Sequence, residues 1–355
     1  MNFHEKYLKR CLELARSGFG DVAPNPMVGC VIVNKGKIIG EGFHRIYGEK
    51  HAEVNAINSV KDAELLKNSS LYVNLEPCSH YGKTPPCAEL IIKHKISNVI
   101  IGTSDPNILV KGKGIELLRN AGCKVTENVL VNDCIGLNKR FFTYHIKKRP
   151  YIILKWAQTL DGYIDIDRKN SAEKNSWISN GALKRLVHLW RSQEQSILVG
   201  YNTAFIDNPN LNVRNVTGKN PLRVVFDPNN ELSIGLNLFD NSSPCLVICH
   251  ENQNQNKPGN ETIVIPSSII FSNILDVLYK KHIQSIIIEG GKNTLEMVIK
   301  SGLWDEARIL IGNKTFGSGT LAPIIENHPH CIEDVQSDKI IHIKNPLQSL
   351  IPFCK

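Results

Sequence analysis

Four side chains in the first quarter of the chain have the types and spacing for hydrolytic chemistry. His51, Cys78 and Cys87 supply one imidazole and two thiolates, a three-ligand set for tetrahedral zinc that leaves one position open for water. Zinc lowers the pKa of bound water and supplies hydroxide near neutral pH. Glu53 stands just after His51 in sequence, where a carboxylate can relay protons beside the metal. The set therefore predicts a catalytic zinc site.

A closed structural zinc site is the alternative for the same ligands. His80 could then be the fourth ligand, because it has suitable chemistry and lies close to Cys78 in sequence. Structural sites usually pair their ligands in tight knuckles, whereas this set has a single histidine with a glutamate beside it. The pattern favours the catalytic interpretation.

The elements that must position these ligands alternate between helical and strand patterns. Residues 4–17 repeat apolar positions at helical spacing, which predicts an amphipathic opening helix. Helices beginning near His51 and near Pro85-Pro86 would place both ligand regions at helix starts, where the positive helix end favours thiolate at Cys87. Together with the remaining elements, these helices predict an α/β layer around a central sheet. The remaining elements are strands at 28–33 and 37–42 joined by an Asn-Lys-Gly turn, strands at 71–75, 98–102 and 123–129, and a helix at 114–120.

The pattern breaks at the basic, proline-ended segment 145–150, which predicts a linker between domains. We place the first domain at residues 1–146 and the second at residues 147–355, and the chain is long enough for two cores. The second domain also alternates strands and helices, which predicts a second α/β domain. Its predicted strands are 151–156, 197–200, 222–226, 246–249 and 285–288, and its predicted helices include 183–190 and 274–281.

Composition limits the class of protein and its compartment. The 355 residues carry 42 lysines and arginines against 34 acidic residues, a formal net charge of +8, which suits phosphorylated small molecules and nucleic acid alike. The N-terminus is charged throughout, unlike a signal peptide, and no stretch reaches the length of a membrane span, so we expect a cytoplasmic protein. Its ten cysteines should be free or metal-bound. Cys245 and Cys249 share one strand face and are interpreted as core residues rather than a second metal site.

The spacing of the two cysteines is the most specific feature of the chain. Zinc-dependent deaminases of bases and nucleosides combine His-x-Glu with Pro-Cys and a second cysteine, but eight residues separate the cysteines here instead of two. The segment PCSHYGKTPPC, residues 77–87, resembles the bifunctional riboflavin-biosynthesis deaminase/reductase family. The resemblance continues through NPMVG at 25–29, GFH at 42–44, DPN at 105–107, GKGI at 112–115, residues 155–162, WIS at 177–179, DNP at 207–209 and EGG at 289–291.

The resemblance implies a fold and two activities. A cytidine-deaminase-like zinc domain would be followed by a C-terminal dihydrofolate-reductase-like domain. The first would hydrolytically deaminate 2,5-diamino-6-(5-phosphoribosylamino)pyrimidin-4(3H)-one, with Glu53 as the catalytic acid/base. The second would use NADPH to reduce the ribosyl side chain to ribityl. A small-molecule substrate of this kind implies neither a nucleic-acid nor a membrane partner, and a homo-oligomer stays open.

The resemblance also implies binding residues, position by position. Asn25 and His44 are candidates for holding the pyrimidine or its ribose phosphate. Asn175 replaces a serine that is common in the family, and Gln158 stands where a small residue is frequent, so these contacts would differ in detail. The implied cofactor contacts are Gln158, Trp177, Thr203, Asp207, Gly291, Lys292, Asn293, Thr294, Leu295, Glu296 and Met297. The implied substrate contacts are Asn175, Arg191, Leu211, Arg214 and Glu289.

Two other functions stay open from the residues alone. One is a single-activity zinc deaminase of another base or nucleoside with a non-catalytic C-terminal domain, although the long cysteine spacing argues against it. The other is a zinc-stabilised binding protein without activity, which requires Glu53 to be incidental. The preference for NADPH over NADH depends on the resemblance.

Overall fold

The chain divides into two units, Met1–Lys148 and Arg149–Lys355. The computed structural model describes residues 3–81, 85–168, 177–250, 257, 259–326 and 328–350. Within these residues, no helix is both long enough and apolar enough to cross a membrane.

The first unit is a five-stranded sheet with helices on both faces. Its elements are α1 (Phe3–Arg16), β1 (Gly29–Asn34), β2 (Lys37–Phe43), α2 (Ala52–Ser59), β3 (Ser70–Val73), α3 (Cys87–Lys93), β4 (Asn98–Ile101), α4 (Lys113–Asn120), β5 (Lys124–Thr126), α5 (Val131–Leu137) and α6 (Lys139–Lys147). The strand order is β2-β1-β3-β4-β5. Strand β1 is antiparallel to β2 and β3, while β4 is parallel to β3 and β5.

Alternation along the central strand β1 explains why helices cover both faces. Cys30 and Ile32 pack into the core beneath α2, α3 and α4, whereas Val31 and Val33 pack against α1. The predicted opening helix and α/β layer are confirmed, and the predicted turn has Lys35 at φ 47° and Gly36 at φ 78°. Such positive φ values at both central positions match the twist of a tight hairpin.

The helix that follows His51 lies very close to the sheet. A Cβ added at Gly42 would meet the backbone N of Ala56 at 2.3 Å and the backbone O of Ala52 at 2.7 Å. Only glycine permits this approach of β2 to α2. The glycine therefore fixes the depth at which α2, and the ligand before it, sits on the sheet.

Helix α6 occupies part of the region that the sequence pattern predicted as a linker. It extends to Lys147, and its residues Phe141, Phe142 and Tyr144 are buried. Burial of these aromatic side chains stabilises a helix that the basic, proline-ended sequence around it did not indicate.

The second unit is built on a nine-stranded sheet that is parallel at its centre. Its elements are β6 (Tyr151–Thr159), β7 (Tyr163–Asp165), α7 (Gly181–Gln193), β8 (Ser196–Gly200), α8 (Tyr201–Asp207), β9 (Leu222–Phe226), β10 (Cys245–Cys249), β11 (Glu261–Val264), α9 (Ile270–Lys280), β12 (Ser285–Ile288), α10 (Lys292–Ser301), β13 (Glu306–Gly312), β14 (Thr320–Leu321), β15 (His330–Val335) and β16 (Asp338–Lys344). The strand order is β11-β10-β9-β8-β12-β6-β13-β16-β15, with β14 paired to β7 separately.

Both faces of this sheet are covered, which explains the continuous apolar runs in its strands. Alternate residues of β6, β8 and β12 contribute to one or the other of two hydrophobic cores. All five predicted strands of this half are present. Cys245 and Cys249 are buried in β10, as the core interpretation requires.

Candidate functional site

Two helix starts and one loop bring the three predicted zinc ligands together. His51 is the N-cap of α2, Cys87 is the first residue of α3, and Cys78 lies in the loop after β3. The His51 Nδ1 atom lies 3.5 Å from the Cys78 sulfur and 3.3 Å from the Cys87 sulfur. All three donor atoms lie within 4.8 Å of one another, which fits a single tetrahedral ion with N and S ligands.

The pKa values of these donors depend on the hydrogen bonds among them. A hydrogen bond from Cys87 lowers the pKa of Cys78 to about 4, and the pKa of Cys87 is correspondingly raised. The hydrogen bond with Cys78 raises the pKa of His51. The backbone N–H of Cys87 also donates to the Cys78 sulfur at 3.3 Å. A helix-start amide therefore stabilises one thiolate before any metal contributes.

Glu53 lies in the first turn of α2 and is only 4% exposed. Burial, together with the nearby Cys78, raises its pKa to about 6. A carboxyl group with a pKa close to neutrality can both accept and release a proton at physiological pH. The position and the pKa agree with the predicted proton relay.

Asn25 and His44 lie next to the ligand cluster. The His44 ring is buried and contacts the His51 ring edge-on, with 5.4 Å between ring centroids. Its Nε2 is 3.1 Å from the Asn25 side-chain nitrogen, and its Nδ1 is 3.1 Å from the carbonyl oxygen of Lys50. Burial lowers the pKa of His44, so a neutral ring fixed by Lys50 lines this site. His80, the alternative fourth ligand, is exposed and is absent from the donor cluster found among the described residues.

In the second unit, a buried carboxylate holds two cations, one from β6 and one from α7. Glu289 follows β12 and accepts hydrogen bonds from Arg191 Nε at 2.8 Å and Nη2 at 2.7 Å. Lys155 of β6 donates to the same carboxylate at 3.3 Å. Burial alone would raise the pKa of Glu289, but Arg191 and Lys155 outweigh it and hold the pKa at about 2. Their net positive charge can attract an anionic ligand.

A second arginine, Arg214, contacts His188, which lies on the same helix as Arg191. The backbone N–H of Arg214 donates to His188 Nδ1 at 3.4 Å, and the Arg214 guanidinium donates to Asn212 Oδ1 at 2.8 Å. Burial lowers the pKa of His188, and the charges of Arg191 and Arg214 act in the same direction. Leu211 is buried at φ 49°. The predicted substrate residues Arg191, Arg214, Leu211 and Glu289 therefore gather around one region, while Asn175 lies outside the described residues.

The predicted cofactor loop lies at the start of α10. Thr203 Oγ accepts a hydrogen bond from the Gly291 N–H at 2.8 Å. A Cβ at Gly200 would meet Thr294 Oγ at 2.2 Å, and a Cβ at Gly290 would meet Thr294 Cβ at 2.9 Å. Two glycines thus allow β8 and the β12–α10 turn to approach Thr294, and the backbone N–H groups at the helix start remain suited to a phosphate.

The other predicted cofactor residues differ in what their side chains offer. Leu295 is buried in the core, so it could serve a cofactor only through its backbone, whereas Met297 is partly buried against the same core. The Lys292 Nζ atom lies 3.8 Å from the Glu296 Oε1 atom. The Gln158 side chain accepts from Trp156 Nε1 at 2.8 Å, and Trp177 is exposed beneath the Lys184 ammonium. Asp207 accepts from Arg168 at 2.7 Å, and Asn293 follows Lys292 in the first turn.

Sequence reasoning missed three residues that the structure places at these sites. Lys155 belongs to the segment 155–162 that carries part of the family resemblance, but no role was predicted for it. A lysine within an otherwise apolar strand could have indicated a functional residue. His188 lies on the buried face of α7, where helical spacing predicts core. Glu76 lies just before the Pro77-Cys78 pair, and its contacts come from residues distant in sequence.

Comparisons with known proteins agree with the division of the chain. Residues 1–103 match the family described as "Cytidine and deoxycytidylate deaminase zinc-binding region", and residues 150–340 match the family "RibD C-terminal domain". The riboflavin biosynthesis protein RibD of Aquifex aeolicus (strain VF5) is 38% identical over 89% of this chain and 88% of that protein. RibD of Bacillus amyloliquefaciens is 39% identical over 90% of this chain and 86% of that protein.

A solved structure covers both units. The diaminohydroxyphosphoribosylaminopyrimidine deaminase/5-amino-6-(5-phosphoribosylamino)uracil reductase of Thermotoga maritima superimposes with a TM-score of 0.85 and 35% sequence identity. The match covers 97% of this chain and 99% of that chain. The alternative of a single-activity zinc deaminase of another base or nucleoside with a non-catalytic C-terminal domain is not supported, because the C-terminal half matches the family "RibD C-terminal domain".

Proposed function

The chain belongs to the RibD family of bifunctional deaminase/reductases of riboflavin biosynthesis, and from this premise we propose a role for the residues of each site. The N-terminal domain is the zinc-dependent deaminase and the C-terminal domain is the NADPH-dependent reductase. The substrate of the first is 2,5-diamino-6-(5-phosphoribosylamino)pyrimidin-4(3H)-one. The second reduces the ribosyl side chain of the deaminated product to ribityl.

In the deaminase, His51, Cys78 and Cys87 would hold the zinc ion. When bound, zinc supplies Lewis acidity that makes water nucleophilic near neutral pH. Glu53 accepts the proton of the water that adds to the carbon bearing the 2-amino group. It then delivers a proton to that amino group, which leaves as ammonia while a carbonyl forms. His44 and Asn25 line the same site and would orient the pyrimidine or its ribose phosphate.

In the reductase, the arginines and the glutamate would position the sugar phosphate for hydride transfer. When bound, NADPH would supply a hydride to C1 of the ribosyl group, while the bond from C1 to the ring oxygen breaks and that oxygen takes a proton from water. Arg191 and Arg214 present planar guanidinium groups that suit phosphate or sugar hydroxyl groups. Glu289 would keep Arg191 and Lys155 in position through the hydrogen bonds that it accepts from both. The N–H groups at the start of α10, with Thr203, would hold a cofactor phosphate.

The convergence of His51 Nδ1 and the sulfurs of Cys78 and Cys87, beside a buried glutamate, carries the deaminase assignment. The test is incubation of the zinc-loaded chain with the diaminopyrimidinone ribosyl phosphate, with and without NADPH, while ammonia and NADPH are followed. We expect ammonia without NADPH, and NADPH oxidation only after deamination. Absence of ammonia would overturn the deaminase site, whereas ammonia without any NADPH oxidation would overturn the reductase site.

We further propose the domain limits and the setting of the enzyme. The limits 1–146 and 147–355 agree within a few residues with the two units, and α6 ends at Lys147. We propose that the enzyme works in the cytoplasm, on a dissolved small molecule, without a nucleic-acid or membrane partner. Light scattering on the purified chain would decide between a monomer and a homo-oligomer.

A further inference from the structure

Glu76 is a buried carboxylate next to the metal-binding loop that none of the assigned roles uses. It is 4% exposed and precedes the Pro77-Cys78 pair. Its Oε1 accepts the backbone N–H groups of Gly114 at 3.0 Å and Ile115 at 3.3 Å. Its Oε2 accepts the backbone N–H groups of Asp105 at 3.2 Å and Gly112 at 3.0 Å. Four backbone donors therefore converge on one side chain.

These donors belong to the start of α4 and the loop before it. The first N–H groups of a helix lack intrahelical partners and carry partial positive charge. The N-cap of α4 is Gly112, in the left-handed conformation, and it has no side chain to satisfy them. Glu76 supplies the missing acceptor from a distant part of the chain. Its carboxylate thereby fixes the start of α4 against the loop that leads to Cys78.

Helix α4 packs so closely against this loop that a shift of the helix start would move the Pro77-Cys78 backbone. A Cβ added at Gly114 would lie 2.0 Å from the carbonyl oxygen of Pro77. On the other side, the Ala88 N–H donates to the Cys78 carbonyl oxygen at 3.1 Å, and the Cys87 N–H donates to the Cys78 sulfur at 3.3 Å. The Cys78 backbone is thus held between the starts of α3 and α4.

We propose that Glu76 is the positioning residue of the zinc site, which sets the orientation of the Cys78 thiolate by holding α4 against Pro77. This role depends on the proposed assignment of Cys78 as a zinc ligand. Glutamine at position 76 would keep one acceptor oxygen but would turn an NH2 group toward two N–H donors. Loss of such an outer contact typically weakens metal binding about 10- to 100-fold.

The experiment measures zinc release from the full zinc-loaded chain into an excess of a chromophoric chelator. The variants are Glu76→Gln, Cys78→Ser, and the matched control Glu116→Gln, an exposed glutamate in the first turn of the same helix α4. Cobalt(II) substitution gives a second readout, because its absorption spectrum reports the geometry of the ligands. Thermal unfolding of each variant, followed by near-UV circular dichroism, shows whether the N-terminal domain is folded, and the reductase activity on directly supplied deaminated pyrimidine shows the same for the C-terminal domain.

We expect Glu76→Gln to release zinc about 10- to 100-fold faster and to change the cobalt spectrum, with Glu116→Gln and the reductase rate unaltered. A zinc-release rate within about twofold of the wild-type rate, with an unchanged cobalt spectrum, would overturn the role of Glu76. If Glu76→Gln yields no folded chain, Glu76→Asp replaces it: the shorter carboxylate cannot reach all four donors, and wild-type release would overturn the proposal equally. Full zinc retention by Cys78→Ser would instead contradict the ligand assignment itself.

Discussion

The two sites of this enzyme are assembled in different ways. The deaminase ligands come from 37 consecutive positions, 51–87, and two of the three stand at helix starts. The proposed reductase residues come from positions 155–297 and are brought together by the parallel pairing of β12 with β6 and β8 and by the elements that follow these strands. The first site is local in sequence, and the second depends on the whole domain. Changes in the two sites should therefore differ in size and in what else they disturb.

The largest effect should come from removing a metal ligand. Cys87→Ser replaces a buried thiolate donor at the start of α3, and we expect loss of zinc and no detectable deamination. Zinc content by atomic absorption and ammonia release check this. Cys331→Ser, at an exposed cysteine on β15, is the control and should keep both. Full zinc retention by the first variant would contradict the ligand set.

Removing the proton relay should be severe but should leave the metal in place. Glu53→Gln keeps the size of the side chain, and we expect deamination to fall about 10²- to 10⁴-fold with zinc content unchanged. The reductase rate on the deaminated pyrimidine should stay at the wild-type value, since the change is confined to the local site. An unchanged rate of ammonia release would refute the assigned role.

The reductase site should respond in stability as well as in activity. Glu289→Gln leaves Arg191 and Lys155 buried without their counter-charge, which typically costs about 3–5 kcal/mol. We expect a lower free energy of unfolding for the C-terminal domain and slower NADPH oxidation, with deamination retained. Glu333→Gln, at an exposed position of β15, is the matched control. Equal stability of Glu289→Gln and the wild type would show that the ion pairs contribute little.

The same carboxylate predicts a direction of pH dependence. The pKa of Glu289 is held at about 2, below its ordinary value of 4.5. A group with a depressed folded-state pKa stabilises the fold above its unfolded pKa, and that contribution is lost as pH falls from about 4.5 towards 2. Urea unfolding of the C-terminal domain across this window should show a steeper loss of stability for the wild type than for Glu289→Gln. Parallel pH profiles would contradict the account.

The smallest effect should come from an exposed contact of the cofactor region. Arg168 donates to Asp207 and Asp165, and all three side chains are at least one-third exposed. Exposed ion pairs contribute about 1 kcal/mol or less, so Arg168→Ala should change the KM for NADPH by less than about fivefold. A steady-state titration with NADPH measures this, and a change of several hundredfold would show that Arg168 has a larger role.

The same contrast explains what the sequence could and could not predict. The proposed zinc ligands and Glu53 follow from side-chain chemistry and short spacing, and the strands with alternating or continuous apolar runs follow from periodicity. Glu76 and His188 could not be found in this way, because their partners lie tens of residues away and are mostly backbone groups. Helix α6 was missed since its stability comes from buried aromatic side chains rather than from local signals.

The central claim is that each domain carries a complete and separate site, and mixing two variants tests it most directly. Glu53→Gln and Glu289→Gln are combined with the diaminopyrimidinone ribosyl phosphate and NADPH, and ammonia and NADPH are followed in the same sample. We expect ammonia release and NADPH oxidation near the wild-type rates in the mixture, whereas Glu53→Gln alone releases little ammonia and Glu289→Gln alone oxidises NADPH slowly. Ammonia release without NADPH oxidation, when the Glu53→Gln chain reduces directly supplied product, would contradict the claim that the two sites work independently.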